Sequence, residues 1–291
     1  MTESILSYQQ EDSVKLRCEI DLKRLLPEPK QKERFEKKWN AFLESNEHNS
    51  DIFELEGDVL KYQSEQLIPS KPDNRPTLLL VLGNPASHSV KEGMFFSFEG
   101  NKKEHRFWKD ILAKAGVLEL SYDENLSVEE LNEHRKNQLL NLDYNSPFRI
   151  GLCVFISMPS APSDKLSGRA PSAPSGNWSG VTGVQKLIGA KAMRELEKEE
   201  TLRVIECAKQ FLLPKGVAVA LQKNAWNGLR SDKDPEYKKT LADSGKLKGT
   251  LKDMPDILLL GVPPTRLSGP CSKILRQLLE EQEYKLLPKK D

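Results

Sequence analysis

Thr77-Leu78-Leu79-Leu80-Val81-Leu82-Gly83-Asn84-Pro85 sets an unbroken apolar run against an abrupt turn. Successive side chains of a strand point to opposite faces, so a run with no polar position describes a strand covered on both sides. Gly, Asn and Pro in succession end it, because each favours a turn over a continued ladder. Runs of the same kind recur outward along the chain, at residues 150–156, 217–221 and 257–262. Helical patterns separate them. Phe107, Trp108, Ile111 and Leu112 place a helix over residues 104–115, with Gly116 as its stop. Ser127 and Glu130 form a capping box for another, reaching about residue 140. Residues 190–213 read as a long helix ending before Pro214, and residues 270–284 as the last one. Strands alternating with helices predict a three-layer α/β/α fold with a central four-stranded parallel sheet and right-handed crossovers.

Two stretches stand outside this alternation. Residues 157–183 are rich in Ser, Pro, Gly and Ala and read as a long loop, and residues 230–253 read as a charged linker. The first 75 residues differ from the rest. Phe35, Trp39, Phe42 and Leu43 fall on one helical face behind Pro27 and Pro29. This predicts a helical extension, residues 1–75, packed on a main domain of residues 76–291.

The bulk numbers narrow the function classes. The chain has 291 residues with 37% hydrophobic content, enough for one substantial core. No apolar run approaches the ~20 residues that a membrane helix needs, and residues 1–13 lack the basic-then-apolar pattern of a secretory signal. An intracellular protein without a membrane partner is therefore expected, in cytoplasm, nucleoid or nucleus. Four cysteines stand far apart without a C-x-x-C, which argues against a metal or iron–sulfur centre and predicts reduced thiols. The net charge of +1 excludes a protein that coats nucleic acid indiscriminately, yet allows one local basic face.

In open parallel sheets ligands bind beyond the carboxyl ends of the strands. Two turns of unusual composition leave strands there: Gly83-Asn84-Pro85-Ala86-Ser87-His88-Ser89 and Pro263-Pro264-Thr265-Arg266-Leu267-Ser268. Neither is a P-loop or a dinucleotide fingerprint, and the chain has no G-x-S-x-G elbow.

Gly83-Asn84-Pro85-Ala86, then Gly93-Met94-Phe95-Phe96, then His105-Arg106-Phe107-Trp108-Lys109 resembles the first motif of the mismatch-specific uracil/thymine branch of the uracil-DNA glycosylase superfamily. There G-x-N-P-G precedes G-x-x-F and N-R-F-W-K. The resemblance covers residues 77–284. It departs at Ala86, where the family has a second glycine, and at Pro263, where the family has His or Asn. At about Cys153 several branches carry an asparagine that reads uracil.

What the resemblance implies is a monomeric, cofactor-free and metal-free DNA glycosylase. It would release a flipped uracil or related deaminated or mismatched base from single- or double-stranded DNA. Asn84 matches the asparagine that positions the attacking water, with Gly83 and Pro85 beside the base. Phe96 matches the phenylalanine that stacks on the base, and Leu267 the wedge that fills the gap in the duplex. Arg266 and Ser268 flank the wedge, and Lys102 and Lys103 stand near the first motif to meet phosphate. His88 and Trp178 are further candidates, the latter as a mobile aromatic between Gly176 and Gly180 in a loop that also carries Lys165, Arg169 and Asn177. The alternatives are a non-catalytic nucleic-acid-binding protein on the same fold and a hydrolase of free nucleosides or nucleotides.

Overall fold

The computed structural model describes residues 4–161 and 178–288. Among them lie nine strands and a larger set of helices, a mixed α/β architecture. The described residues fall into two compact units. One draws on Met1–Gln66, Gly83–Phe95 and Val154–Arg203, the other on Leu67–Leu82, Phe96–Cys153 and Val204–Asp291.

The first unit is built on strands β1 (Leu6–Gln10), β2 (Lys15–Asp21), β3 (Phe53–Glu56) and β4 (Val59–Leu67). β2 pairs antiparallel with both β1 and β4, and β3 pairs antiparallel with β4. Leu16, Cys18 and Ile20 of β2 alternate with polar neighbours and are buried, as are Leu60, Tyr62 and Ser64 of β4. That period of two makes one face of the pairing apolar. Short helices α1 (Leu22–Leu25) and α3 (Asn49–Ile52) flank α2 (Pro29–Leu43). Pro29 opens α2 behind Glu28, whose side chain forms a capping box with Gln31. Phe35, Trp39 and Phe42 are buried and their rings stack in sequence along the helix, 5.4 and 5.8 Å apart. Helix α4 (Ser87–Glu92) follows the Gly83–Pro85 turn. The expectation of a helical extension over residues 1–75 therefore found α2 and missed four strands. Their alternation is short and crowded with charge, whereas the aromatic stripe is conspicuous.

The second unit carries the four apolar runs. They form β5 (Thr77–Leu82), β6 (Arg149–Val154), β7 (Val217–Ala220) and β9 (Met254–Gly261), in the order β6-β5-β7-β9. β5 runs parallel to β7, and β7 parallel to β9. Every residue of β5 is buried. The expected linker at residues 230–253 is instead structured. It holds the short helix α9 (Lys239–Asp243) and β8 (Lys248–Leu251), which adds an antiparallel edge to β9. Between β5 and β6 lie a π-helix (Phe107–Ala113) and α5 (Val128–Asn141). Ser127 caps α5 by accepting from the Glu130 N–H, and the Glu130 carboxylate reaches back to the Ser127 N–H. Helix α8 (Lys223–Leu229) follows β7, and α10 (Ser268–Glu280) closes the unit against the π-helix. Helix α6 (Gly180–Ile188) belongs to the first unit, as does the long α7 (Ala190–Phe211) up to Arg203. No helix among the described residues is long and apolar enough to cross a membrane. All four cysteines are buried, and none is joined in a disulfide.

One charged group is sealed in the first unit. Glu200 and Arg203 lie one turn apart on α7, at 0% and 1% exposure, joined by an Arg203 Nε to Glu200 Oε2 bond of 2.6 Å. Glu200 Oε1 also accepts from the Ser157 N–H (2.6 Å) and hydroxyl (2.5 Å), and the Tyr62 hydroxyl lies 2.7 Å from Ser157 Oγ. Arg203 Nη2 donates to the Val154 and Phe155 carbonyls. A buried ion whose partner is removed costs far more than an exposed one. Glu200→Ala is therefore expected to lower stability by about 3–5 kcal/mol, read from urea unfolding, whereas Glu200→Met with Arg203→Met together should cost less than the single change. A single-variant loss under about 1 kcal/mol, the scale of an exposed pair, would contradict the assignment.

Candidate active site

The turn after β5 is bolted to the segment that follows β6. The Ile156 N–H donates to the Gly83 carbonyl (2.9 Å), the Ser160 N–H to the Pro85 carbonyl (3.1 Å), and the Ser87 N–H to the Ser160 carbonyl (3.1 Å). These bonds carry a strand-like ladder past the end of β5, so Asn84 sits on a frame and not on a free loop. Its side chain is half-buried. Nδ2 donates to Ser160 Oγ (2.9 Å) and to the Met158 carbonyl (3.2 Å), with a longer approach to the Pro85 carbonyl at 3.4 Å. Among the described residues nothing donates to Oδ1. That oxygen looks toward Gly180, the first residue of α6, at 4.0 Å from where a Cβ would stand. Gly180 has φ +63°, a conformation that disfavours any side chain.

Around this turn, Pro85 is buried and Ala86 is the N-cap residue of α4. Ser87 Oγ donates to Asn49 Oδ1 at 2.6 Å, and Asn49 Nδ2 to the Phe42 carbonyl, tying α4 to α3 and α2. His88 is half-buried, its Nε2 3.3 Å from Ser89 Oγ. Trp178 is 7% exposed, edge-on to Phe42 at 5.9 Å, with the Lys186 ammonium 4.2 Å from its ring centre. A Cβ on Gly183 would fall 2.2 Å from the Trp178 carbonyl oxygen. A ring buried between Phe42 and Lys186, with its backbone packed against Gly183, belongs to the core, which corrects the reading of Trp178 as a mobile aromatic. Its flanking glycine, Gly180, serves the turn into α6. Lys165, Arg169 and Asn177 lie outside the described residues.

Phe96 belongs to the second unit. It is half-buried with φ +48°, and an aromatic residue adopts such a backbone only where its surroundings impose it. Its ring stacks on His105 (4.6 Å, 20°) and on Phe107 (4.3 Å, 27°), with Trp108 edge-on at 6.3 Å. Two rings that close and that parallel cannot share one side, so both faces of Phe96 are occupied. Trp108 Nε1 donates to the Phe96 carbonyl (3.3 Å). His105 Nδ1 accepts from the Phe107 N–H (3.1 Å), and burial, aided by the Arg106 charge and opposed by Asp110, holds its pKa down at about 4.

The remaining candidates in this unit are surface groups. Lys102 is half-buried with φ +51°, its Nζ 3.5 Å from the Glu124 carbonyl, and Lys103 is exposed. Arg266 is exposed, while Leu267 is half-buried as the N-cap residue of α10 and Ser268 is the helix's first residue. Pro263 and Cys153 are buried. Sequence reasoning missed Ser160, Met158 and the Glu200–Arg203 pair. The first two sit in a stretch that reads as loop, and the pair reads as an ordinary i, i+3 contact on a solvated helix face. Among the described residues no group of His, Cys, Asp and Glu side chains could hold a metal ion. Compared with models of protein families the chain matches none, and no curated protein matches it.

The His105 environment fixes a pH dependence. Above pH 6.5 the imidazole is neutral folded and unfolded, so nothing is lost. Between the unfolded value of 6.5 and the folded value of about 4 only the unfolded chain takes the proton, and stability falls as pH drops through that window. The full loss is about 3 kcal/mol. Urea midpoints followed from pH 7 to pH 4 should show it in the parent and not in His105→Phe, which keeps the stack and cannot titrate. Parallel curves for the two proteins would refute the burial assigned to His105.

Proposed function

We propose that the chain is a DNA glycosylase that releases a flipped uracil or a related deaminated or mismatched base, on the three-layer α/β/α frame that the resemblance implies. In that frame β6-β5-β7-β9 are the central strands. The observation that carries the reading is the state of Asn84. Its motif neighbours match the glycosylase pattern, and both its amide hydrogens are engaged, which leaves a carbonyl oxygen to hold a water by its hydrogen. Hydrolysis needs little more from a side chain. The C1′–N bond breaks with its electron pair going to the base, the water oxygen bonds to C1′, and the water's proton passes to the base or to solvent. Positive charge grows on the sugar meanwhile, and a neutral amide oxygen next to it is favourable without having to ionise.

The other roles follow from the same resemblance. A base stacks on Phe96 by taking the place of His105. Leu267 enters the gap that the base leaves, Arg266 and Ser268 meet the backbone beside it, and Lys102 and Lys103 contact phosphate. One observation favours a second reading. Pro263 offers no donor where the family has His or Asn, and that fits a protein which binds nucleic acid without cleaving it.

The test is alkaline strand nicking on labelled duplexes carrying U, T, hypoxanthine or xanthine opposite G, with single-stranded controls. Nicking by the parent and a loss of about 10²–10³-fold in Asn84→Ala, the scale of one positioned polar group, support the enzyme. Binding without nicking selects the second reading, and turnover of free nucleosides or nucleotides selects a small-substrate hydrolase. Leu267→Ala should harm release from paired duplex most, from mismatched duplex less and from single strands least, because only a stacked helix has a gap to fill. Equal losses on all three would make Leu267 a residue of the fold.

A further inference from the structure

The amide of Asn84 has two orientations, and the structure allows only one. With Nδ2 inward, one hydrogen meets the Met158 carbonyl at 3.2 Å and the other Ser160 Oγ at 2.9 Å. Turned over, Oδ1 would face the Met158 carbonyl oxygen, two acceptors with no proton between them. The Met158 carbonyl has little freedom to adapt. On one side of it the Ile156 N–H is bonded to Gly83, and on the other the Ser160 N–H is bonded to Pro85. Behind it Ser157 is held by Glu200 through both its N–H and its hydroxyl. Ser160 is 1% exposed, so its hydroxyl is shielded from bulk water. That hydroxyl's own hydrogen points to the Ala161 carbonyl at 3.4 Å, which leaves its lone pairs for Asn84.

We propose that Ser160 is a positioning residue for Asn84, which together with the Met158 carbonyl consumes both amide hydrogens and makes Asn84 an acceptor only. The inference rests on the glycosylase reading of Asn84 and sharpens it. Asn84 orients a water and makes no hydrogen bond to an acceptor on the base or the sugar. Without the Ser160 hydroxyl the amide loses one of its two fixed partners and rotates more freely. Water placement then suffers, while contacts to DNA made elsewhere do not. The rate of the chemical step should fall and the affinity for substrate should not.

A double-mutant cycle separates this role from a structural one. Single-turnover release of uracil from a labelled oligonucleotide is measured for the parent, Ser160→Ala, Asn84→Ala and the double variant, each shown by thermal unfolding to be folded. Ser160→Ala is expected to slow release about 10–100-fold, the scale of a small misplacement of a reacting group, with DNA affinity unchanged. In the Asn84→Ala background the same change should cost less than about twofold, since a residue acting through Asn84 has nothing left to act on. Ser160→Cys, close in size but a weak acceptor, should follow Ser160→Ala and serves if the alanine variant does not fold. Losses that multiply in the double variant, or a Ser160 variant as fast as the parent, overturn the proposal alone. A parent that releases no base overturns it together with the glycosylase reading.

Discussion

A carboxylate shut away from water must collect donors from the protein, and Glu200 collects three: the N–H and hydroxyl of Ser157 and the guanidinium of Arg203. Arg203 in turn spends its other nitrogens on the carbonyls of Val154 and Phe155 and on Gln66 Oε1. Neither ion tolerates the site alone, so the group forms together or not at all. What it fixes is the course of the chain just past β6. With residues 154–157 pinned, Ile156 and Ser160 fall where the backbone of Gly83, Pro85 and Ser87 pairs with them, and the Met158 carbonyl falls where Asn84 Nδ2 reaches it. The turn at Asn84 thus inherits its geometry from a buried pair of charges on α7.

Burial also decides how much of this was legible. The strands β5, β6, β7 and β9 announce themselves because a strand covered on both faces is almost wholly apolar, and the runs at residues 78–82 and 257–262 are short, unbroken and bounded by turn residues. Helix α5 is legible because Ser127 and Glu130 carry a local mechanism that needs no tertiary partner. β2 and β4 fail the same test. Leu16, Cys18 and Ile20 alternate with Lys15, Arg17 and Glu19, and so short a signal is easily lost beside the aromatic stripe of α2. β8 is four residues of mixed polarity, recognisable only from its pairing with β9. Asn84 could be found from its motif. Ser160 could not, since a serine in a Ser- and Pro-rich stretch acquires meaning only from the side chain that faces it.

The surroundings of Phe96 show local rules giving way together. A bulky residue at φ +48° is strained by about 1–2 kcal/mol, and the helix that supplies two of its ring neighbours is a π-helix, a rare form. Stacked and edge-on aromatic contacts return roughly 0.5–1.5 kcal/mol each, enough for three of them to offset the strain. The cluster is therefore stable as it stands, and His105 holds one face of the ring against any incoming base. On the glycosylase reading, selectivity arises partly here. A base that is already loose in its duplex arrives with less stacking to give up, and so competes better for the face that His105 covers.

Electrophilic help for the leaving base points the same way. Asn84 has no hydrogen to offer, because Met158 and Ser160 hold both. Pro263 has none in its side chain. On that reading, side-chain donation from either motif position is excluded, and stabilisation of the departing base falls to backbone N–H groups. On the glycosylase reading, a site so poor in donors does not favour a base whose anion is unstable. The base released, on the same reading, is one that carries its own acidity, with carbonyl groups conjugated to the departing nitrogen. Uracil and xanthine have such carbonyls and adenine does not. The departures of this chain from the family pattern therefore leave a glycosylase reading coherent, with the burden moved from the protein to the chemistry of the base.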